Sequence, residues 1–453
     1  MADYLPHTES EVAEMLDFLG LSSLDDLFAH IPPALRLAGG LGMSVGASEP
    51  DVAAIFARYG EANAARAATM TCFAGAGAYD HEVPNVVRAL SSRSEFVTAY
   101  TPYQPEVAQG VLQAIFEYQT LVSRLSGLPI ANASLYDGAS ALVEALNMAA
   151  GATKRSRILV SSGVHPHWRA VARTFAAGTG HEIIEVPLRD GVTDWAALDA
   201  ASAAAVVVAY PNYLGVVEDL GAPRELARAA GALFVVAGDP VGAGVLRSAG
   251  DWGADVFVGE GQAFGTPLSF GGPYLGLFAC TLEQVRRLPG RIVGETVDLN
   301  GRRSFVTTLR AREQDIRREK ATSNVCTNQT LMAVAAAIQL GWLGTSGLAE
   351  IARRGAVGAH HLFEELVQIP GVSAANSQPF LREFALRLRR PAAEVIADMA
   401  GSGVLAGVAL DALVEPDDES VEDPSRVLLV AVTERRTREE MDRYVELMRK
   451  VVA

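Results

Sequence analysis

Residues 232–244 read ALFVVAGDPVGAG, an apolar run of strand length that ends in an aspartate and a proline. Three runs of the same kind lie around it: RILVS at 157–161, AAVVVAY at 204–210 and ADVFVG at 254–259. Helical segments separate several of them, for example around Trp168–Phe175 and Ala222–Ala230. A strand covered on both faces loses its polar alternation and reads as continuous Val, Ile, Leu and Phe. Such runs alternating with helices argue for βαβ units and a buried parallel sheet. The centre of the chain is therefore a large α/β domain.

Outward from that sheet the pattern changes. The first 70 residues read as short helices, such as Glu9–Leu19 and Glu49–Tyr59, and Glu106–Leu125 as a longer amphipathic one. A loop-rich stretch, Pro289–Cys326, closes the alternating region, and helices continue to about Val367. Phe384–Leu388, a helix at Ala393–Ala400, Gly403–Ala409, Val427–Val432 and a last helix at Arg438–Val451 then make a small α+β domain. The expected organisation is a helical segment over 1–97, a large α/β domain over 98–330 and a small C-terminal domain over 331–453.

Of the 453 residues 49% are hydrophobic and 20% charged, an ordinary globular balance. The net charge of −15 argues against nucleic-acid partners. A membrane span needs roughly 18 predominantly apolar residues. Uncharged runs such as Gly261–Leu282 are broken by Gly, Pro and polar residues, so no membrane partner is expected. The N-terminus is acidic, unlike a secretory signal or a transit peptide, and a cytoplasmic location is expected. Cys72, Cys280 and Cys326 show no metal or disulfide spacing, and no metal site is expected. The 38 cationic residues include only three lysines, Lys154, Lys320 and Lys450. Arginine replaces lysine on a surface, but it cannot form a Schiff base.

Parallel sheets of this kind bind ligands beyond the carboxyl ends of their strands. In YDGASALVEALNMAA, Gly138, Ala139 and Ser140 open a helix whose backbone N–H groups can approach a phosphate; a plain helix start is the alternative. In VSSGVHPHWRAV, His165 and His167 follow a strand, and a flat imidazole there can stack on an aromatic cofactor or simply cap the helix. Asp239 ends the opening strand. A carboxylate there is costly without a task, and holding a pyridinium nitrogen is one; a turn cap before Pro240 is another. A pyridoxal-phosphate (PLP) enzyme of this build would carry its lysine one strand later, and Gln262 stands in or near that slot. None of the three lysines is placed for the role.

Four blocks resemble one known family: TAYTPYQPEVAQGVLQAIFEYQT at 98–120, ASLYDGASALVEA at 133–145, GEGQAFGTPLSFGGPYLG at 259–276 and RREKATSNVCTNQ at 317–329. They are similar to the P-protein of the glycine cleavage system, specifically to subunit 1 of its two-chain form. The resemblance implies a fold-type I, aspartate aminotransferase-like PLP architecture. It implies an α2β2 heterotetramer with a homologous subunit 2 that carries the Schiff-base lysine and the PLP. It further implies decarboxylation of glycine and transfer of the aminomethyl group to the lipoyl arm of the H-protein. This chain then keeps a vestigial pocket of Gly138, Ala139, Ser140, His165, Asp239 and Gln262, with no covalent cofactor.

Two segments are candidates for the partner's active site. Tyr100, Thr101, Pro102, Tyr103 and Gln104 combine aromatic and polar groups that can close over a small substrate. Arg318, Glu319, Lys320, Ala321, Thr322, Ser323 and Asn324 offer cations and hydroxyls suited to a phosphate or carboxylate. Interface packing and a charged capping loop are their respective alternatives. At the level of the chain, the alternatives are a catalytically silent scaffold or regulatory subunit, and a self-sufficient PLP enzyme using Lys320.

Overall fold

In the computed structural model, residues 6–37, 41–67, 69–98, 102–196, 198–325, 327–415 and 421–452 are described, without the side chains of 64–67. Seven strands form the main sheet: β1 Ile130–Ala131, β2 Arg157–Ser161, β3 Glu182–Val186, β4 Ala203–Tyr210, β5 Leu233–Gly238, β6 Val256–Glu260 and β7 Gly276–Cys280. Their order is β1-β7-β6-β5-β4-β2-β3. The run from β6 to β3 is parallel, while β7 pairs antiparallel with both β6 and β1.

The apolar runs become strands because both faces of the sheet are covered. Successive side chains of a strand point to opposite faces. In β4, Val206, Val208 and Tyr210 enter one core with Phe234, Val236 and Phe257. Ala205, Val207 and Ala209 enter the other with Val235, Val256 and Val258. Helix Gln109–Ser126 and helix Thr330–Leu366 pack on the first face through Tyr118, Val122, Ala333, Ala336 and Leu340. Helix Gly138–Thr153 packs on the second through Leu142, Ala145, Leu146 and Ala149. Each fully buried Val or Leu contributes about 1.5–3 kcal/mol, so these two layers hold the strand ends in fixed positions.

A second sheet, antiparallel and four-stranded, has the order Val372–Ala374, Glu383–Leu388, Val427–Ala431, Val408–Ala409. Helix Thr330–Leu366 serves both cores: Leu348 and Ala352 pack with the large sheet, and Ala359, Leu362 and Leu366 with the small one. This helix is long and apolar enough by composition to cross a membrane. Its apolar face is spent inside the protein, and it breaks at Gly344, where φ is 60°. Residues 293–297 and 303–307 form an antiparallel hairpin inside the stretch expected to be loop-rich.

By compactness the chain divides into Met1–Ala68 and Thr69–Ala453. In the first unit, Thr8 and Glu11 make a reciprocal capping box at the start of helix Glu9–Leu19, yet no residue of that helix is buried. Phe18 is 89% exposed and Phe56 67%, and Leu35, Leu41, Met43 and Val45 are also exposed.

Candidate functional site

The carboxyl ends of β4, β5 and β6 open onto a cavity lined by Tyr79, His165, Trp168, Asp239, Glu260, Gln262 and Arg382. A second compartment shares His165, Trp168 and Glu260 and reaches Ala139, Ser140, Tyr274 and Gln329. The site residues expected on this chain thus meet at one sheet edge. Gly138 belongs with them, since its N–H donates to Glu260 Oε2 at 2.9 Å.

Asp239 sits just beyond β5, in line with the reading of a strand-end acid. Its Oδ1 accepts the N–H of Val241 at 3.0 Å, and its Oδ2 accepts Nε–H of Arg382 at 2.8 Å. Burial pushes its carboxyl up most strongly, but the adjacent guanidinium and the Val241 N–H together hold it below the usual range. Arg382 also donates Nη1–H to His81 Nε2 at 3.0 Å and lies over the Tyr79 ring, 3.8 Å from its centroid. Since arginine cannot accept, His81 accepts there and donates from Nδ1 to Glu434 at 2.7 Å. Next to Arg382, Glu383 accepts the Tyr79 hydroxyl and the Ala76 N–H, both at 2.7 Å. The backbone approaches this carboxylate closely at Gly75, where a Cβ would lie 2.4 Å from Glu383 Oε1.

Gln262 is 1% exposed. Its carbonyl accepts the Tyr79 N–H at 3.0 Å, and its amide donates to Tyr79 O at 3.2 Å and Thr266 O at 2.9 Å. The amide therefore pairs with the Tyr79 peptide much as a strand neighbour would. His165 donates from Nε2 to Ala76 O at 2.9 Å and accepts the His167 N–H on Nδ1 at 3.2 Å. Burial pushes its imidazole down to about 4, so it is neutral at physiological pH. It acts as the cap of helix Pro166–Thr179, the alternative left open by the sequence, with His167 edge-on 5.2 Å away.

At the start of helix Gly138–Thr153 the N–H groups that have no partner within the helix meet carboxylates. Besides Gly138 N–H on Glu260, Ser140 N–H donates to Asp137 Oδ1 at 2.7 Å. Glu260 Oε1 accepts N–H groups of Leu275 at 2.9 Å and Gln262 at 3.0 Å. Burial pushes the Glu260 carboxyl up to about 7, against the pull of its three backbone N–H donors.

A PLP molecule does not fit these residues. The Asp239 carboxylate is engaged by Arg382, Gln262, expected in or near the Schiff-base slot, is an amide saturated by backbone groups, and the helix start is occupied by acid. Lys154, Lys320 and Lys450 are exposed and line neither compartment.

The candidate trans-acting segments lie elsewhere. Tyr100 and Thr101 fall outside the described residues. Tyr103 is 46% exposed and stacks under Arg291, 4.8 Å from guanidinium carbon to ring centroid; Gln104 is exposed beside it. Lys320, Thr322 and Asn324 are exposed, and Ser323 is half-buried. Ser323 contacts Glu144 on the Gly138–Thr153 helix, where burial pushes the carboxyl up to about 7 despite hydrogen bonds to Ser323 and Asn147. Neither segment lines the cavity among the described residues.

Sequence reasoning missed Tyr79, His81, Glu260, Arg382, Glu383 and Glu434. Glu260 could have been found by the argument applied to Asp239, an acid at the end of an apolar strand. Arg382 lies 143 positions from its partner and carries no local signal.

Comparison with known proteins places this architecture. The family model for the glycine cleavage system P-protein matches residues 2–448. The chain belongs to the glycine cleavage system P-protein family. Within that family it is similar to proteins named probable glycine dehydrogenase (decarboxylating) subunit 1. The one from Brevibacillus brevis is 47% identical, covering 97% of this chain and 96% of that one. The one from Moorella thermoacetica is 45% identical, covering 99% and 100%. The crystal structure of a glycine decarboxylase (P-protein) of the glycine cleavage system, in inhibitor-bound form, matches with TM-score 0.90 at 45% identity over 99% of this chain and 100% of that one. A Burkholderia pseudomallei sphingosine-1-phosphate lyase shares the fold at 14% identity, with TM-score 0.60 over 90% and 91% of the two chains. The expected fold-type I, PLP-transferase architecture is thus the observed one, and the resemblance drawn from the four blocks is correct.

Proposed function

We propose that this chain is the lysine-less half of a two-subunit glycine decarboxylase. Its partner, subunit 2, holds the PLP, and together they decarboxylate glycine and pass the aminomethyl group to the lipoyl arm of the H-protein. One observation carries the reading: Gln262, which the sequence puts in or near the lysine slot, is saturated by backbone groups, and none of the three lysines lines the cavity. The name subunit 1, borne by relatives matched over nearly their whole length, supports a second chain. The apolar residues exposed in the first unit are of the kind an obligate interface covers.

In this reading Tyr103, Gln104 and Lys320, Thr322, Ser323 and Asn324, with Tyr100 and Thr101, complete the partner's site by closing over glycine and meeting its carboxylate or the cofactor phosphate. The exposure of Tyr103, Gln104, Lys320, Thr322 and Asn324 supports that role, since groups facing solvent are free to meet a neighbour. An α2β2 heterotetramer in the cytoplasm is the assembly proposed.

The test is glycine–CO2 exchange by this chain alone, by subunit 2 alone and by the co-expressed pair. Exchange by the pair only is the expected result. Exchange by this chain alone would support the self-sufficient enzyme. Normal exchange by assembled Tyr103→Phe, Lys320→Met and Thr322→Ala variants would make the chain a scaffold.

A further inference from the structure

The cavity at the ends of β4, β5 and β6 has the outline of a ligand site, yet each position that would hold a phosphorylated ring is already filled from within. We infer that this chain excludes such a cofactor by internal substitutes, with the Glu260 carboxylate standing where the phosphate would be received. The inference deepens the reading of a lysine-less subunit: the missing lysine is one barrier of three, and restoring it does not restore a site.

The first substitute is at the anion position. A helix start binds phosphate through free N–H groups and a favourable dipole. Here Gly138 N–H is committed to Glu260 and Ser140 N–H to Asp137. The Trp168 indole also covers this point, because a Cβ on Gly138 would lie 2.1 Å from its Cζ2. Glu260 makes only acceptor contacts, to Gly138, Gln262 and Leu275, which is the pattern of an ionised carboxylate. An incoming phosphate would meet like charge. Among the described residues Arg382 is the one lysine or arginine lining either compartment, and it is spent on Asp239 and His81.

The second substitute is Arg382 itself. It supplies the positive group that Asp239 would otherwise draw from a protonated ring nitrogen. The third is Gln262, whose amide uses its carbonyl and both its hydrogens on backbone partners. A lysine at 262 would leave the Tyr79 N–H without its acceptor.

The consequence is selective loading. In a cell supplying one cofactor pool to two homologous chains, only the partner accepts it, and this chain keeps its fold without it.

The experiment uses the purified full-length chain with PLP and with pyridoxamine 5′-phosphate, which carries the same phosphate and ring but forms no Schiff base. Binding is read by fluorescence titration at about pH 8, above the range in which Glu260 takes up a proton. Wild type and Gln262→Lys are expected to bind neither, and borohydride is expected to leave no adduct on position 262. Glu260→Ala is expected to gain affinity for pyridoxamine 5′-phosphate by roughly tenfold or more, since it removes a charge at contact range from the phosphate. Glu260→Ala, Gln262→Lys and Arg382→Met combined, which remove all three substitutes, are expected to yield a borohydride-stable PLP adduct at 262. Stoichiometric PLP on wild type or on Gln262→Lys would overturn the inference. So would unchanged affinity in a Glu260→Ala chain that keeps the wild-type circular dichroism spectrum. If the lysine variants do not fold, the single Glu260→Ala titration decides alone. None of these readouts involves glycine turnover, so the failure of one reading leaves the other standing.

Discussion

The interior cavity and the first 67 residues are opposite solutions to the same problem of unsatisfied groups. In the cavity almost every polar atom is answered from inside: Asp239 by Arg382, Arg382 by His81, His81 by Glu434, Gln262 by the Tyr79 peptide. In the first unit, Phe18, Leu41, Met43, Val45 and Phe56 face solvent, and no residue of helix Glu9–Leu19 is fully buried. A helix of that length is marginal by itself even with a good cap. On the proposed reading, the pairing is what a non-autonomous subunit needs, a filled core and an apolar surface left for a partner.

The comparison can be broken most severely at the surface. Removing residues 1–68 should abolish stable association with co-expressed subunit 2 on a sizing column, while residues 69–453, which form their own compact unit, keep their circular dichroism. A heteromer that survives the deletion at micromolar concentration would move the interface elsewhere.

The interior should respond to the loss of one ion-pair partner. Arg382→Met leaves the Asp239 carboxylate buried and unpaired, at a cost of about 3–5 kcal/mol in denaturant unfolding. Adding Asp239→Leu should recover much of that loss. A double variant as unstable as the single one would mean that Arg382 acts through packing alone.

Glu144 lies between the two regimes, on a core helix but touching Ser323 of a mostly exposed segment. Its folded carboxyl stands at about 7, above the ordinary value of 4.5. Its stabilising effect is therefore complete below pH 4.5 and is lost as pH rises through about 7. Glu144→Gln should remove that share of the pH dependence, at most about 3 kcal/mol between pH ~4 and pH ~8. Urea midpoints of the two proteins, measured across that range, should converge at low pH and separate at high pH. Parallel curves would refute the assignment.

The smallest change sharpens the surface side. Tyr103→Phe removes one hydroxyl from an exposed ring that stays stacked under Arg291. The heteromer should assemble normally and lose about 1–3 kcal/mol of transition-state stabilisation, roughly tenfold to a hundredfold in glycine–CO2 exchange. An unchanged rate would reduce Tyr103 to a packing residue.

The sheet was legible because burial on both faces writes itself into consecutive apolar residues. The runs at 157–161 and 204–210 lie within strands, those at 232–238 and 254–259 begin one and two residues ahead of theirs, and the helices expected at Trp168–Phe175 and Ala222–Ala230 lie within observed ones. The strand Gly276–Cys280 and the 293–307 hairpin were hidden by the glycines, prolines and charges around them. The cavity was half legible. Asp239, His165 and Gln262 stand at strand ends and helix starts, where local pattern points to them. Asp239 meets Arg382 across 143 positions and Gln262 meets Tyr79 across 183, while His81 and Glu434 behind Arg382 are 353 apart, and no spacing rule reaches that far.

The helix from Thr330 to Leu366 has a thermodynamic consequence. Past its break at Gly344 it carries Leu348 and Ala352 into one core and Ala359, Leu362 and Leu366 into the other, with continuous helix between them. Neither sheet can melt without stripping a face from this shared rod. Residues 69–453 should therefore behave as a single cooperative unit, with calorimetric and van't Hoff enthalpies in agreement, although two separate sheets would ordinarily suggest two transitions.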